Sequence, residues 1–198
     1  LRGTYPPGST YKPFMGLAGL ETGKRLPGTT IMDGGSWAFG GHTFRSGHAL
    51  GAVDLYRSIV KSSNVYYYML ANDMGVNAMH DFMKPLGFGQ ITGIDIPGET
   101  RGVLPSTDWK RATYRRPEQQ KWYAGETISL GIGQGYNNFT MLQIAHALAG
   151  GRLEHELERL KRLGADAHGE VVDHDPVGRV RELLGESDFD AVVVCTLP

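Results

Sequence analysis

The chain has 198 residues, a net charge of −1, 40% hydrophobic residues and one cysteine, Cys195. That content supports a packed core, while the near-zero charge argues against a protein that grips nucleic acid through its phosphates. A single cysteine excludes an internal disulfide framework and a multi-cysteine metal site, and no apolar run reaches the roughly 18 residues of a membrane span.

No signal peptide is visible, and the chain opens in mid-pattern, so a fragment is expected. Composition shifts along the sequence. Residues 1–150 hold 14 Lys/Arg and 10 Asp/Glu, and residues 151–198 hold 6 and 11. The first part also carries 18 of the 19 aromatic residues and 23 of the 28 glycines. Together these predict a boundary near Gly150–Gly151. The alternative is the acidic helical end of one domain.

Tyr5-Pro6-Pro7-Gly8 is a rigid lead-in. Ser9 or Thr10 then opens a helix to about Thr22, with Phe14, Leu17, Ala18 and Leu20 as apolar positions. Thr29 to Gly51 predicts loops with short extended pieces. Asp54 caps a helix over 55–61. Ser63 opens the next, with Val65, Tyr68, Met69 and Met74 as core candidates. Asn77 is expected to cap a helix through Lys84, which Gly87-Phe88-Gly89 ends. Residues 93–108 read as loop. Thr140 starts a helix through Ala149 with Leu142, Ala145 and Leu148 as its apolar side. Beyond the boundary, a helix over 153–163 stops at Gly164, and Val171-Val172 reads as a short strand. Pro176 opens a helix ending near Leu184-Gly185, and 191–195 is a continuous apolar, β-branched run typical of a buried strand. Cys195 in that run is expected to pack inertly. That order is half of an α/β layer, too little to close a core alone.

Ser9-Thr10-Tyr11-Lys12 sets a hydroxyl and an amine three residues apart at a helix start, hence on one face. A serine needs a base within hydrogen-bond reach to act as nucleophile. A lysine serves only if its neutral form is accessible. The N-terminus of a helix also offers N–H groups to a developing oxyanion. Alone the pattern is weak, because a Ser cap beside a solvated Lys is common. Ser62-Ser63-Asn64 is a second polar cluster at a break between helices. Ser62 can relay a proton between Lys12 and a leaving group, and Asn64 can hold Lys12 and a substrate amide. The competing reading is a local cap of the 65–66 amides.

The segment Tyr5-Pro6-Pro7-Gly8-Ser9-Thr10-Tyr11-Lys12-Pro13-Phe14 resembles the active-serine segment of the class B penicillin-binding proteins, closest to their elongation-specific branch. The likeness continues through Gly47-His48-Ala49-Leu50-Gly51, Ser62-Ser63-Asn64 and Thr92-Gly93-Ile94-Asp95-Ile96-Pro97-Gly98-Glu99. It runs on through Trp122-Tyr123-Ala124-Gly125-Glu126-Thr127 and Gly131-Ile132-Gly133-Gln134-Gly135-Tyr136 to about residue 149. The resemblance implies an α+β fold, a partial penicillin-binding or serine β-lactamase-like transpeptidase domain over 1–149, mostly its helical part, followed by an α/β fragment over 150–198. It implies a peptidoglycan D,D-transpeptidase with no cofactor, acylated by D-Ala-D-Ala stem peptides or by β-lactams. Ser9 would be the nucleophile, Lys12 its base, and Ser62 and Asn64 the second motif; the identity of the acylation base is disputed for this motif set. It also implies an inner-membrane parent with an extracytoplasmic domain and elongation-complex membrane partners, and no nucleic acid.

The family's third motif, Lys-Thr-Gly or Lys-Ser-Gly, does not occur in these residues. Weak or absent turnover is therefore expected of them, together with exposed apolar faces on the helices bearing Ser9 and Ser62. A non-catalytic cell-wall-binding fragment and a serine carboxypeptidase or β-lactamase-like hydrolase are the alternatives. The tail, notably 160–171 and 190–198, weakly resembles part of a universal stress protein. A chimera or assembly product accounts for such a join. Asp33, His42 and His48 fall where related proteins can hold a metal, but their spacing matches no compact zinc signature, and hydrogen bonding is expected instead. His155, His168 and His174 are expected to face solvent, as is the basic run Arg111, Arg115, Arg116 and Lys121. Trp109 and Trp122 are expected in scaffold packing or along a groove.

Overall fold

A computed structural model describes residues 1–149 of the chain. The boundary at 149–150, the tail helices and strands, Cys195 and the stress-protein likeness all lie outside the described residues.

A single 3-10 turn, Gly8–Tyr11, leads into α1 (Lys12–Glu21), whose first turn carries Pro13. Proline suits that position because its missing N–H would be unpaired there anyway. Four short strands follow. β1 (Ile31–Asp33) pairs antiparallel with β4 (Gly51–Val53), and β2 (Ser36–Phe39) pairs with β3 (His42–Arg45). Gly40 and Gly41 join β2 to β3 with φ of 58° and 79°. A tight hairpin needs that conformation, and side chains resist it. α2 (Leu55–Val60), α3 (Asn64–Met74) and α4 (Val76–Met83) come next, then α5 (Thr107–Thr113), α6 (Pro117–Gln120), α7 (Ala124–Leu130) and α8 (Met141–Ala149). The expected α+β class, dominated by helices, is what the described residues adopt.

α3 is the central element. Val65, Tyr66, Tyr67, Leu70 and Ala71 are all buried, so it is covered on nearly every side, as a helix without a polar stripe must be. α1, α4 and α7 pack against it. α7 approaches closely where Gly131 meets the Tyr67 carbonyl and the Ala71 methyl. Four rings lock the turn before α1 to the rest: Tyr11 stacks on Phe139 at 6.0 Å, Phe88 meets Phe139 at 4.7 Å, and Phe14 meets Phe88 edge-on at 5.1 Å. Each such pair contributes about 0.5–1.5 kcal/mol beyond its buried area.

Several expectations need correction. The apolar faces of α1 and α3 are not exposed: Phe14, Met15, Ala18, Tyr66 and Leu70 are buried, because the two helices cover each other. Exposed large apolar side chains, such as Leu26, Met32, Ile91 and Ile96, lie elsewhere. Asn77 does not cap α4. Gly75, at φ 78°, occupies that position, and the Asn77 side chain accepts from the Thr107 amide at 3.1 Å, joining α4 to α5. On α8 the buried side is Gln143, Ile144 and Ala147, while Leu148 is exposed. Gln143 is drawn inward because its amide nitrogen donates to the carbonyls of Gln90 and Arg101. It also forms a reciprocal capping box with Thr140, which satisfies donors at the helix start.

Candidate active site

The chain around Ser9 is pinned from both sides. Tyr5 exchanges two backbone hydrogen bonds with Phe139, at 2.9 and 3.0 Å, and the Gly8 amide donates to the Gly133 carbonyl at 3.0 Å. Ser9 stands exposed on this fixed turn, and Lys12 follows at the start of α1 with 2% exposure. A 3-10 turn eclipses positions i and i+3, which puts the hydroxyl and the amine on one side.

The second cluster closes on them. Lys12 Nζ donates to the Ser62 carbonyl, to Ser62 Oγ and to Asn64 Oδ1, each at 2.7 Å. Those bonds use all three protons of an ammonium. Ser62 Oγ in turn donates to Ser9 Oγ at 3.0 Å. The four residues singled out from the sequence, Ser9, Lys12, Ser62 and Asn64, therefore meet in one place, and Ser62 is the link between the other hydroxyl and the amine. Ser62 reaches this position with φ 53°, the lone positive φ outside glycine among the described residues. That backbone costs a non-glycine residue about 1–2 kcal/mol, so its neighbours must hold it. Ser63 does so as the N-cap of α3, accepting from the Tyr66 amide at 3.1 Å, and the Asn64 amide donates to Ser46 Oγ at 3.3 Å.

Burial lowers the Lys12 pKa to about 8, and the negative charge of Asp33 partly opposes that shift. A lowered lysine value makes the free amine accessible near neutral pH. It also sets a stability trend. Between about pH 8 and pH 10 the unfolded chain keeps the proton that folded Lys12 gives up, so stability rises with pH, by about 1 kcal/mol per unit. Above that window the buried tyrosines act in the opposite sense, since burial pushes Tyr66 up to about 12. Urea denaturation at several pH values is expected to show this rise in the native chain and not in Lys12→Met.

Asp33, His42 and His48 are not gathered: among the described residues no group of three or more His, Cys, Asp or Glu is placed to hold a metal ion. Asp33 is instead fully buried. Its carboxylate accepts from Ser63 Oγ at 2.6 Å and from the Gly35 amide at 2.8 Å. No local signal marks that role, because Ser63 is thirty positions away. His42 lies edge-on to Phe44 at 4.7 Å. Trp109 and Trp122 belong to the scaffold. Both rings pack on Tyr136, and Trp122 Nε1 donates to Thr127 at 2.8 Å. Their neighbour Lys110 is buried and pairs with Glu126. Arg111, Arg115, Arg116 and Lys121 are exposed, as expected.

Residues 1–162 match the family described as the penicillin binding protein transpeptidase domain. The chain belongs to the penicillin-binding protein transpeptidase family. It is 43% identical over 152 residues to the peptidoglycan D,D-transpeptidase MrdA of Haemophilus influenzae, covering 74% of this chain and 22% of that protein. Against MrdA of Acinetobacter baumannii it is 43% identical over 155 residues, covering 75% and 22%. It therefore spans less than a quarter of the length of these transpeptidases. Among solved structures, PBP2 of Pseudomonas aeruginosa in complex with WCK 5153 matches with a TM-score of 0.69 and 42% identity, over 75% of this chain and 34% of that one. Helicobacter pylori PBP2, solved in complex with MreC, matches with a TM-score of 0.68 and 33% identity, over 75% and 28%. No helix among the described residues is long and apolar enough to cross a membrane.

Proposed function

We propose that this chain is part of a peptidoglycan D,D-transpeptidase in which Ser9 is the acylated nucleophile. The observation that carries the reading is the continuous relay Ser9–Ser62–Lys12, with both hydroxyl contacts at 3.0 Å or less. As it stands, the hydrogen bonds run from the Lys12 ammonium toward Ser9. When Lys12 loses its proton, the chain reverses: Ser9 donates to Ser62, and Ser62 donates to the free amine. Ser9 Oγ then attacks the carbonyl carbon between the two D-alanines of a stem peptide, and its proton passes through Ser62 to Lys12. Collapse breaks the C–N bond, and the same relay returns a proton to the departing D-alanine amine. An amine of a second strand takes the acyl group by the reverse sequence, freeing Ser9. A β-lactam enters by the first step, because its strained amide presents the same carbonyl. Asn64 keeps Lys12 aligned and leaves its NH₂ for a substrate carbonyl.

The names of the relatives support this substrate class, and the H. pylori PBP2–MreC complex supports a protein partner of that kind; a membrane-anchored parent with an extracytoplasmic domain is part of the proposal. A polypeptide of residues 1–198 alone holds no Lys-Thr-Gly or Lys-Ser-Gly triplet. It is therefore expected to label slowly, since one oxyanion donor is worth about 3 kcal/mol in rate. The test is labelling with a fluorescent penicillin, followed by peptide mapping. Adduct on Ser9, lost in Ser9→Ala, is expected. Adduct elsewhere, or equal labelling of Ser9→Ala, would refute the assignment.

A further inference from the structure

We propose that Asp33 is a positioning residue for this site: it anchors the 62–64 turn against Lys12 and supplies the countercharge to the Lys12 ammonium. The proposal rests on the reading of Lys12 and Ser62 as acyl-transfer machinery. Its observations are separate from that reading.

The first observation is the state of the carboxylate. Asp33 is 0% exposed, and none of the ion pairs among the described residues includes it. A buried carboxylate with no direct cation is costly unless a charge nearby offsets it. Lys12 is the buried cation on which the Asp33 charge acts, in the direction that favours the ammonium. The other groups that face Lys12 are neutral. Ser62 and Asn64 accept its protons, and from α3 the Tyr67 ring lies 5.8 Å from Nζ. The Tyr67 hydroxyl bonds to Ser58 at 3.0 Å, and burial keeps it protonated.

The second observation is mechanical. Ser63 has one proton, and it goes to Asp33 at 2.6 Å. That fixes the hydroxyl so that its lone pair caps α3 through the Tyr66 amide. Asp33 is itself held in the β1–β4 ladder opposite Gly51, with its carbonyl accepting from Leu50 at 2.9 Å. The strained Ser62 backbone and the Asn64 side chain flank Ser63 directly. Strand β1 thus sets, through one hydrogen bond, where the Ser62 hydroxyl, the Ser62 carbonyl and Asn64 Oδ1 stand relative to Lys12.

The test follows the Lys12 ε-methylene by NMR in the 13C-lysine-labelled full chain, with Lys12→Met to assign the signal. Asp33→Asn is expected to move the Lys12 midpoint down by about one pH unit, because an opposing charge that favoured the ammonium is gone. Ser63→Ala, which keeps the charge, is expected to leave the midpoint within a few tenths while slowing Ser9 labelling. A folded Asp33→Asn chain with an unchanged or raised midpoint would overturn the proposal. If Asp33→Asn does not fold, the Asp33→Asn/Lys12→Met double variant decides: recovery of a cooperative unfolding transition is expected, and no recovery counts against the countercharge. Penicillin labelling of the same samples separates the two ideas. A native chain that never labels, yet shows the Asp33-dependent midpoint, removes the acyl-transfer reading and leaves the Asp33 role standing.

Discussion

Lys12→Met is expected to slow acylation of Ser9 by about 10³-fold, the middle of the range for a lost general base. Methionine matches the length of the lysine stem, so the aliphatic packing survives while the proton acceptor disappears. The three acceptors that Lys12 serves, the Ser62 carbonyl, Ser62 Oγ and Asn64 Oδ1, are left without their donor. Lys12→Arg separates alignment from proton transfer. A guanidinium still donates hydrogen bonds and still carries charge, but it does not release a proton in a protein. If the amine acts as a base, Lys12→Arg is as slow as Lys12→Met. If Lys12 only aligns Ser62, arginine restores much of the rate. The measurement is the second-order labelling rate with a fluorescent penicillin across pH 6–10. For the native chain that rate is expected to rise with a midpoint near 8, following the Lys12 value. A flat profile would argue against the free amine as the acting form.

The largest structural effect is expected at Gly133. Its φ of 69° already disfavours any side chain, and an added Cβ would run into the backbone of Gly8 and the Cβ of Tyr11. Gly8 immediately precedes Ser9, so the clash pushes on the turn that carries Ser9. The left-handed backbone costs about 1–2 kcal/mol and overpacking about 1–3 kcal/mol more. For a chain of this size the sum corresponds to a fall in Tm of about 10 °C. Gly131→Ala is the informative comparison. It meets the Tyr67 carbonyl and Ala71 at a negative φ of −60°, so it carries the overpacking without the backbone strain. It should cost less stability than Gly133→Ala, and its damage should fall on the α3–α7 contact rather than on the Ser9 turn. Thermal melts and labelling rates of both variants, corrected for the folded fraction, check this. Equal effects of the two would mean that the Gly8–Gly133 contact does not govern the turn.

What the sequence disclosed, and what it hid, follows the range of the interactions. Asp54, Ser63 and Thr140 act as helix caps because a cap is a bond between a side chain and an amide three residues ahead, and such patterns stay within a few letters of text. The same rule misplaced the start of α4. Gly75 takes the non-helical conformation there, which frees the Asn77 side chain for α5. α5, α6 and α7 escaped notice because all three are short and the first two are mostly polar, and contacts such as Lys110–Glu126 and Trp122–Thr127 tie α5 and α7 into the fold. The four site residues were found through two local motifs, supported by the family likeness. Their convergence, and the place of Asp33 behind them, is tertiary.

The site's hydrogen bonds also mark a stage in the life of the polypeptide. Lys12 meets Ser62 and Asn64 across 50 and 52 positions of chain, and Ser9 meets Ser62 across 53. Closing a loop of that size is entropically costly and is recovered only when distant segments dock. A chain emerging from synthesis or from denaturant holds Ser9 and Lys12 side by side early, yet has no relay until α1 seats against α3. If Ser9 is acylated as proposed, covalent capture there is expected to report that docking step, provided labelling outpaces refolding. Penicillin added at intervals during refolding counts the molecules that have passed it, where circular dichroism counts helices regardless of whether they have met.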